Sequence, residues 1–204
     1  MINYYEKIKD IPSKINRTSS EIIIFFIKTL NLNIKITKYS TYLDNSYSIN
    51  QKVIMLSNDV INSTSVADIA ISMHELGHAL QHREKSALFY LFLTIKIFDK
   101  ISSFLFLPSI IFFLVSIIWL NQFVLVSIII LLAFYLINLF SRLIIIPLER
   151  NASNRAIKLL KDYQIFDTNE LKIAKKLLSF ACLTYVGGFF KTYKNIIKKI
   201  LKNF

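Results

Sequence analysis

Residues 101–141 read ISSFLFLPSIIFFLVSIIWL, then NQ, then FVLVSIIILLAFYLINLFS, and neither apolar run contains a charged side chain. The first run, 101–120, has 20 residues and the second, 123–141, has 19. A helix rises about 1.5 Å per residue, so each run covers about 30 Å, the thickness of the hydrocarbon core of a bilayer. Helices of soluble proteins rarely lack a polar face. The pair therefore predicts a transmembrane helical hairpin with a tight turn at Asn121-Gln122.

The composition of the whole chain agrees with a membrane protein. Its 204 residues are 54% hydrophobic, the mean hydropathy is +0.48 and the formal net charge is +12. Most of this excess lies in residues 101–204, which carry 13 basic and 4 acidic side chains. A basic surface beside a bilayer attracts anionic lipid headgroups, so we expect the lipid bilayer as a partner. We expect no nucleic acid, because no aromatic and basic binding motif accompanies the charge.

Basic residues flank both mouths of the predicted hairpin. Lys96 and Lys100 precede it, Arg142 and Arg150 follow it, and the connecting turn has no charge. The positive-inside rule therefore predicts a multi-pass protein of the cell membrane, with the rest of the chain on the cytoplasmic side. A hairpin with both ends on one side also returns the chain that follows it to the segment that precedes it.

The stretch 74–78 reads HELGH and matches the H-E-x-x-H pattern. On a helix, His74 and His78 project from one face, so both imidazoles can bind one Zn²⁺. Glu75 lies beside such a site, where a carboxylate can act as general base toward an attacking water. Polar and apolar residues over 65–84 indicate an amphipathic helix that is too polar to be a lipid-facing span.

A catalytic zinc site usually has three protein ligands and keeps one position for water. His82 is a candidate for the third ligand, but it lies one helical turn beyond His78, about 6 Å along the axis. We prefer Glu149, one of the few acidic residues after the hairpin, because the hairpin returns it to the side of the motif. A carboxylate there completes the His₂Glu set that many zinc hydrolases use.

The remaining segments before the hairpin have shorter signals. Residues 1–20 are polar and charged, which predicts a lead-in with little structure. Residues 33–39 alternate apolar and polar side chains and 52–56 are β-branched, so both are predicted strands, and 44–46 is a predicted turn. After the hairpin, Pro147 precedes a predicted helix that ends near Tyr163.

Three segments together resemble the YugP-like membrane zinc metallopeptidases. They are HELGHALQH at 74–82, PLERNASNRA at 147–156 and ACLTYV at 181–186. The resemblance extends over roughly residues 31–200. It implies that Glu149 is the third zinc ligand, in agreement with the hairpin argument.

The chain departs from that family at a few positions. Asn151 stands where the family commonly has an aspartate, two positions after the ligand glutamate. In the related prenyl-protein endopeptidases an aspartate follows four positions after that glutamate, and here the position is Ser153. These differences bear on substrate handling more than on metal binding.

The predicted fold class is a mainly α membrane protein. A two-helix transmembrane hairpin, residues 101–141, is inserted in a small α+β zincin-like catalytic domain. The N-terminal part of this domain, residues 1–100, carries the H-E-x-x-H helix. The C-terminal helical part, residues 142–204, carries the third metal ligand and a basic tail.

The predicted function is that of a membrane-anchored zinc metalloendopeptidase with Zn²⁺ as cofactor. Glu75 takes a proton from the attacking water and passes it to the leaving amine. Tyr185 and Arg155 are candidate hydrogen-bond donors to the oxyanion. The expected substrate is a peptide or protein, membrane-associated ones included, and the strand at 52–56 is expected to offer its edge to it.

Two other interpretations stay open. In the first, the protein is an intramembrane protease whose motif lies inside a span, although the polarity of the 65–84 helix argues against this. In the second, the protein is a catalytically inactive zinc-binding membrane scaffold. A Glu75→Gln variant that still cleaves substrate would count against the peptidase hypothesis.

Overall fold

The computed structural model describes residues 2–39 and 45–180. Within this part the chain is mostly helical, with one small sheet and two long apolar helices. Tyr185, the motif segment around it and the basic tail lie outside the described residues.

The elements follow one another as a mixture of short and long helices around three strands. In chain order they are α1 (Ile2–Ile8), α2 (Ser19–Thr29), β1 (Lys35–Tyr39), β2 (Ser46–Ser48), β3 (Val53–Ser57), α3 (Asn58–Ile61), α4 (Val66–Arg83), α5 (Ala87–Ile118), a short 3₁₀ turn (Asn121–Phe123), α6 (Val124–Asp162) and α7, which covers residues 168–180 at the end of the described part.

The described chain divides into two compact units. The first is discontinuous and contains residues 2–86 together with 149–180, so it holds the sheet, α1–α4, the end of α6 and α7. The second contains residues 87–148, which form α5 and most of α6. All the residues proposed as metal ligands belong to the first unit.

The sheet has the strand order β1-β3-β2. β1 runs parallel to β3 with Ile36 opposite Ile54, and β2 runs antiparallel to β3 with Tyr47 opposite Ile54. The predicted strands at 33–39 and 52–56 are confirmed. The expectation that the second of them offers a free edge is wrong, because β1 and β2 cover both its sides.

α4 begins with a side-chain cap from Ser65. The Ser65 side chain accepts hydrogen bonds from the backbone N–H groups of Ala67 and Asp68, which have no partner within the helix. Almost every side chain of α4 is buried, with Met73 and Leu76 fully so. The predicted helix over 65–84 is therefore confirmed, and it forms the centre of the first unit.

The N-terminal segment is structured, contrary to the expectation for residues 1–20. α1 buries Tyr5 and Ile8, and the Tyr5 hydroxyl donates a 2.8 Å hydrogen bond to Asp68 Oδ1 on α4. This anchor joins residues 63 positions apart. Local sequence patterns do not reveal such a contact, so the composition alone suggested a lead-in with little structure.

Two helical segments, Phe89–Ile118 and Asn121–Asp162, are long and apolar enough to cross a membrane by length and composition. Only 17% and 11% of their most apolar windows are buried, whereas a core helix of a soluble protein is mostly buried. Large apolar side chains such as Phe104 and Trp119 are about four-fifths exposed, at 78% and 82%. Their apolar surface is therefore turned outward.

Pro147 lies inside α6 and does not begin a new helix. The sequence predicted a separate helix after this residue, which is wrong. A proline removes one backbone hydrogen bond and can bend a helix, but a long helix with many remaining bonds can continue through it. The chain from the predicted second span to Asp162 is therefore one element.

Candidate metal centre

The side chains that could hold a metal ion come from two helices of the first unit. α4 presents His74 and His78 on one face, and α6 presents Glu149. Gly77 allows these backbones to approach closely, because a Cβ atom at this position would lie 2.4 Å from the carbonyl oxygen of Ala152. The glycine within the HELGH stretch thus has a packing role that the motif pattern does not specify.

The three side chains converge on one point. His74 Nε2 lies 3.1 Å from Glu149 Oε2, and His78 Nε2 lies 3.5 Å from the same oxygen. The two Nε2 atoms are 3.1 Å apart. Among the described residues, these are the His, Cys, Asp and Glu side chains whose ligand atoms could hold one metal ion together.

This donor set fits zinc. Tetrahedral bonds of about 2.0–2.1 Å place two ligand atoms about 3.3 Å apart, and the three observed separations bracket that value. His74 and Glu149 are buried, at 8% and 4% exposure, and such polar groups are costly to bury without a compensating partner. Two imidazole nitrogens and one carboxylate oxygen are also ligands that zinc commonly takes.

The ring nitrogens that face away from the centre are also hydrogen-bonded. His74 Nδ1 lies 3.1 Å from Ser153 Oγ, and His78 Nδ1 lies 3.0 Å from Gln81 Oε1. Such contacts orient metal-binding histidines and direct the other nitrogen toward the ion. Both Nε2 atoms are therefore the ones available for a metal.

The comparisons with known proteins agree with this site. Residues 1–203 match the profile of a family described as "Putative neutral zinc metallopeptidase". The chain belongs to this family. It is also similar to "Putative membrane protease YugP" of Bacillus subtilis (strain 168), with 26% identity over 189 residues, which cover 90% of this chain and 80% of that protein. No solved structure matches the chain. The family resemblance predicted from the sequence is confirmed.

Glu75, the acidic residue of the HELGH stretch, is buried on α4 with 8% exposure. Burial raises the pKa of its carboxyl, while the nearby His74 and His78 rings and a backbone hydrogen bond with Tyr47 act in the opposite direction. A carboxyl with a raised pKa is better suited to exchange a proton near neutral pH. Tyr47 belongs to β2, so this strand lies beside Glu75.

His78 holds its proton strongly in the metal-free protein. Burial alone would lower the pKa of its imidazole, but the hydrogen bond to Glu149 and the charges of Glu75 and Glu149 raise it to about 9. Metal binding requires a neutral imidazole nitrogen. A metal ion that binds near neutral pH therefore displaces this proton.

Two other residues singled out by the sequence lie elsewhere. His82 is outside the cluster of ligand atoms, and its Nδ1 lies 2.8 Å from the Tyr47 hydroxyl. The Arg155 guanidinium is engaged by Asn151 and Glu84, which does not favour the role of oxyanion donor. Tyr185, the other candidate donor, lies outside the described residues.

Three residues beside the candidate ligands were not identified from the sequence as part of the metal centre. Gln81 and Ser153 contact the Nδ1 atoms, and Tyr47 contacts Glu75 through its backbone. A signal existed for two of them, because Gln81 lies three positions after His78 and Ser153 lies four positions after Glu149, spacings that place helical side chains on one face. No such periodicity connects Tyr47 to α4.

Proposed function

We propose that this chain is a membrane-anchored zinc metalloendopeptidase with its catalytic part on the cytoplasmic side. The observation that carries the proposal is the convergence of His74, His78 and Glu149, with separations of 3.1–3.5 Å. Glu75, on α4 with the two histidines, supplies the acid–base group that peptide hydrolysis needs. Membership of the zinc metallopeptidase family supports the same reaction class.

In this proposal, three residues of the site bind the metal and a fourth transfers the proton. When bound, Zn²⁺ supplies Lewis acidity that activates a water and polarises a peptide carbonyl. His74, His78 and Glu149 would hold the ion and fix its position relative to Glu75. The Glu75 carboxylate accepts a proton from the attacking water and delivers it to the leaving amine. The buried position of Glu75 keeps this proton exchange away from bulk solvent.

The sheet suggests how a peptide substrate is held. β2 is an outer strand in the order β1-β3-β2, and within the described residues no strand pairs with its other side. The backbone of Tyr47 on β2 bonds to Glu75, so this strand runs past the proton-transferring group. An extended peptide that pairs with β2 would bring its backbone to the site. This replaces the predicted role of β3.

The two apolar helices support a membrane anchor within this proposal. Asn138 Nδ2 on α6 donates to Ser102 Oγ on α5, at 2.9 Å, and the Ser116 and Ser127 hydroxyls lie 2.8 Å apart. Side-chain hydrogen bonds of this kind join helices within a bilayer. We therefore propose that 101–141 is a transmembrane hairpin inserted in a zincin-like catalytic domain formed by 1–100 and 142–204. A similar protein is called a membrane protease, which agrees.

A second candidate is a catalytically inactive zinc-binding membrane scaffold. The observation that favours it is the engagement of Arg155, one of the two candidate oxyanion donors, by Asn151 and Glu84. The scaffold would keep the zinc site and lack peptide hydrolysis. The two candidates therefore differ in activity and agree in metal content.

The experiment compares zinc content and casein cleavage in detergent-purified wild type, Glu75→Gln and, as a control, Glu6→Gln on the partly exposed helix α1. The peptidase proposal expects zinc in all three proteins and cleavage by the wild type and the control. Glu75→Gln should lose at least 10²-fold in cleavage rate, because general acid–base catalysis contributes about 10²–10⁴-fold. Cleavage by Glu75→Gln at the wild-type rate would contradict the assigned mechanism. Zinc binding without cleavage by the wild type would favour the scaffold.

A further inference from the structure

A chain of polar contacts starts at His78, on the side of the ring that faces away from the metal ligands. His78 Nδ1 lies 3.0 Å from Gln81 Oε1, and Gln81 Nε2 donates to Asn151 Oδ1 at 2.9 Å. Arg155 Nε donates to the same Asn151 oxygen at 2.8 Å. The Arg155 guanidinium also forms a 2.7 Å ion pair with Glu84 Oε2. These polar contacts thus lead from α4 to α6 and return to Glu84, at the end of α4.

The members of this chain differ in what they can donate and accept. An arginine guanidinium has only donors, so the side of Asn151 that faces Arg155 must be the amide oxygen. An amide oxygen only accepts, so Gln81 must turn its NH₂ group toward Asn151. The carbonyl oxygen of Gln81 then faces His78.

The contact between Gln81 and His78 determines which nitrogen of the neutral His78 ring carries the hydrogen. Because Gln81 Oε1 only accepts, the hydrogen of the neutral imidazole must be on Nδ1. His78 Nε2, the atom that lies 3.1 Å from His74 Nε2 at the centre, is then the nitrogen that gives up its proton and offers a lone pair to the metal. The arginine at one end of the chain therefore selects the tautomer at the other end.

Because these side chains are buried, the wrong orientation of either amide is unfavourable. Gln81 is fully buried, and the Arg155 side chain is only 25% exposed. If either amide flipped, two donors or two acceptors would face each other at about 3 Å without full access to water, which is unfavourable. His74 differs in this respect, because its neighbour Ser153 offers a hydroxyl that can either donate or accept.

We propose that Arg155 is a positioning residue that fixes, through Asn151 and Gln81, the His78 tautomer whose Nε2 binds the metal. Arg155 acts through these two amides and needs no contact with the metal or the substrate. Glu84 holds the guanidinium in place. This inference rests on the zinc site of the proposed function, and it gives Arg155 a role that replaces the predicted one of oxyanion donor.

The first test measures the zinc dissociation constant of the full-length protein in detergent by competition with a chelator. Arg155→Met removes the donor that orients Asn151, and Asn151→Leu removes the acceptor, so each should weaken zinc binding by about 10–100-fold, the usual effect of losing such support. Asn151→Asp keeps an acceptor for both neighbours and should bind zinc nearly as the wild type does. Lys158→Met, one turn from Arg155 on the same helix, serves as the control and should not change the affinity.

The second test uses a rescue that general destabilisation cannot produce. In Gln81→Glu the carboxylate accepts from His78 whichever way it turns, so the tautomer no longer depends on Arg155. The double variant Arg155→Met with Gln81→Glu should therefore bind zinc more tightly than Arg155→Met alone. The ¹⁵N spectrum of the three histidines in each zinc-bound protein should show His78 with its hydrogen on Nδ1.

The outcomes separate the two proposals. Wild-type zinc affinity in Arg155→Met, or no recovery in the double variant, would overturn the role of Arg155 and leave the zinc site intact. Absence of zinc binding by the wild type would overturn the proposed function itself. Weak zinc binding by Arg155→Met together with recovery in the double variant would support the positioning role of Arg155.

Discussion

At the scale of single residues, metal binding depends on which ring nitrogen of His74 and of His78 faces the centre. Gln81 and Ser153 occupy the Nδ1 atoms of His78 and His74, and the Nε2 atoms face Glu149. The candidate ligands are therefore oriented by neighbours in the folded protein before any ion binds. Preorganisation of this kind reduces the cost of ordering side chains when a ligand binds.

Zinc affinity should depend on pH through His78. Its pKa is raised to about 9 in the metal-free protein, so the imidazole is protonated at neutral pH and must lose this proton when zinc binds. We expect the apparent affinity to rise about tenfold per pH unit between pH 6.5 and 8, with release of a proton. Competition titrations with a chelator at several pH values measure it. An affinity that stays constant over this range would contradict the assignment of His78 as a ligand.

The raised pKa of His78 also has a consequence for the metal-free protein. Because the folded pKa of about 9 lies above the usual value of 6.5, the protonated ring stabilises the fold below pH 6.5, and this contribution is lost as the pH rises through 9. Zinc, which replaces the proton, should remove the loss of stability between pH 6.5 and 9.

Gly77→Ala tests the close approach of α4 and α6. Alanine favours a helix by about 1 kcal/mol over glycine, but the added Cβ would lie 2.4 Å from the Ala152 carbonyl oxygen. We expect the steric effect to win, with a loss of about 1–3 kcal/mol in the free energy of unfolding and weaker zinc binding. Denaturant titration and metal analysis provide the measurements. A more stable variant with unchanged zinc content would show that the helices can separate at little cost.

At the scale of elements, strong local signals were sufficient for some parts and absent for others. The pattern of polar and apolar residues over 65–84 predicted α4 almost to its ends, and the β-branched run predicted β3. β2 was missed because it has only three residues and owes its place to pairing with β3. α1 was missed because its anchor, the bond from Tyr5 to Asp68, is distant in sequence.

Tyr5→Phe measures how much this distant anchor contributes. The change removes the hydroxyl that donates to the buried Asp68 carboxyl and leaves the ring in place. We expect a loss of about 1–2 kcal/mol in the free energy of unfolding, because a buried acceptor loses one of its partners. Urea unfolding of the detergent-purified proteins checks it, with Tyr163→Phe at a partly exposed position as the control. Equal stability of wild type and Tyr5→Phe would mean that α1 is held by apolar contacts alone.

At the scale of the whole molecule, the convergence of the three candidate ligands was predictable because it depends on two sequence features that act together. The H-E-x-x-H spacing predicted His74 and His78 on one face, and the predicted hairpin returned Glu149, 71 positions after His78, to the side of the motif. The hydrogen bonds that connect His78 to Arg155 through Gln81 and Asn151 were not predictable. They depend on the relative position of α4 and α6 in three dimensions. The membrane hairpin itself stays a proposal from length and composition.

Labelling of single cysteines tests the proposed topology. In a Cys182→Ser background, Gln122→Cys lies in the turn between the apolar helices and Lys158→Cys lies on the exposed face of α6. A membrane-impermeant maleimide should label Gln122→Cys in intact cells and should label Lys158→Cys only after permeabilisation. Labelling of both positions from the same side would contradict the transmembrane hairpin.

The central claim is that His74, His78 and Glu149 hold one catalytic zinc ion. The most direct test is the zinc content of the detergent-purified wild type beside Glu149→Ala, with Glu6→Ala as the control. We expect about one zinc ion per chain in the wild type and the control and a large loss in Glu149→Ala, since a catalytic site has three protein ligands. Unchanged zinc content in Glu149→Ala, or no zinc in the wild type, would contradict it.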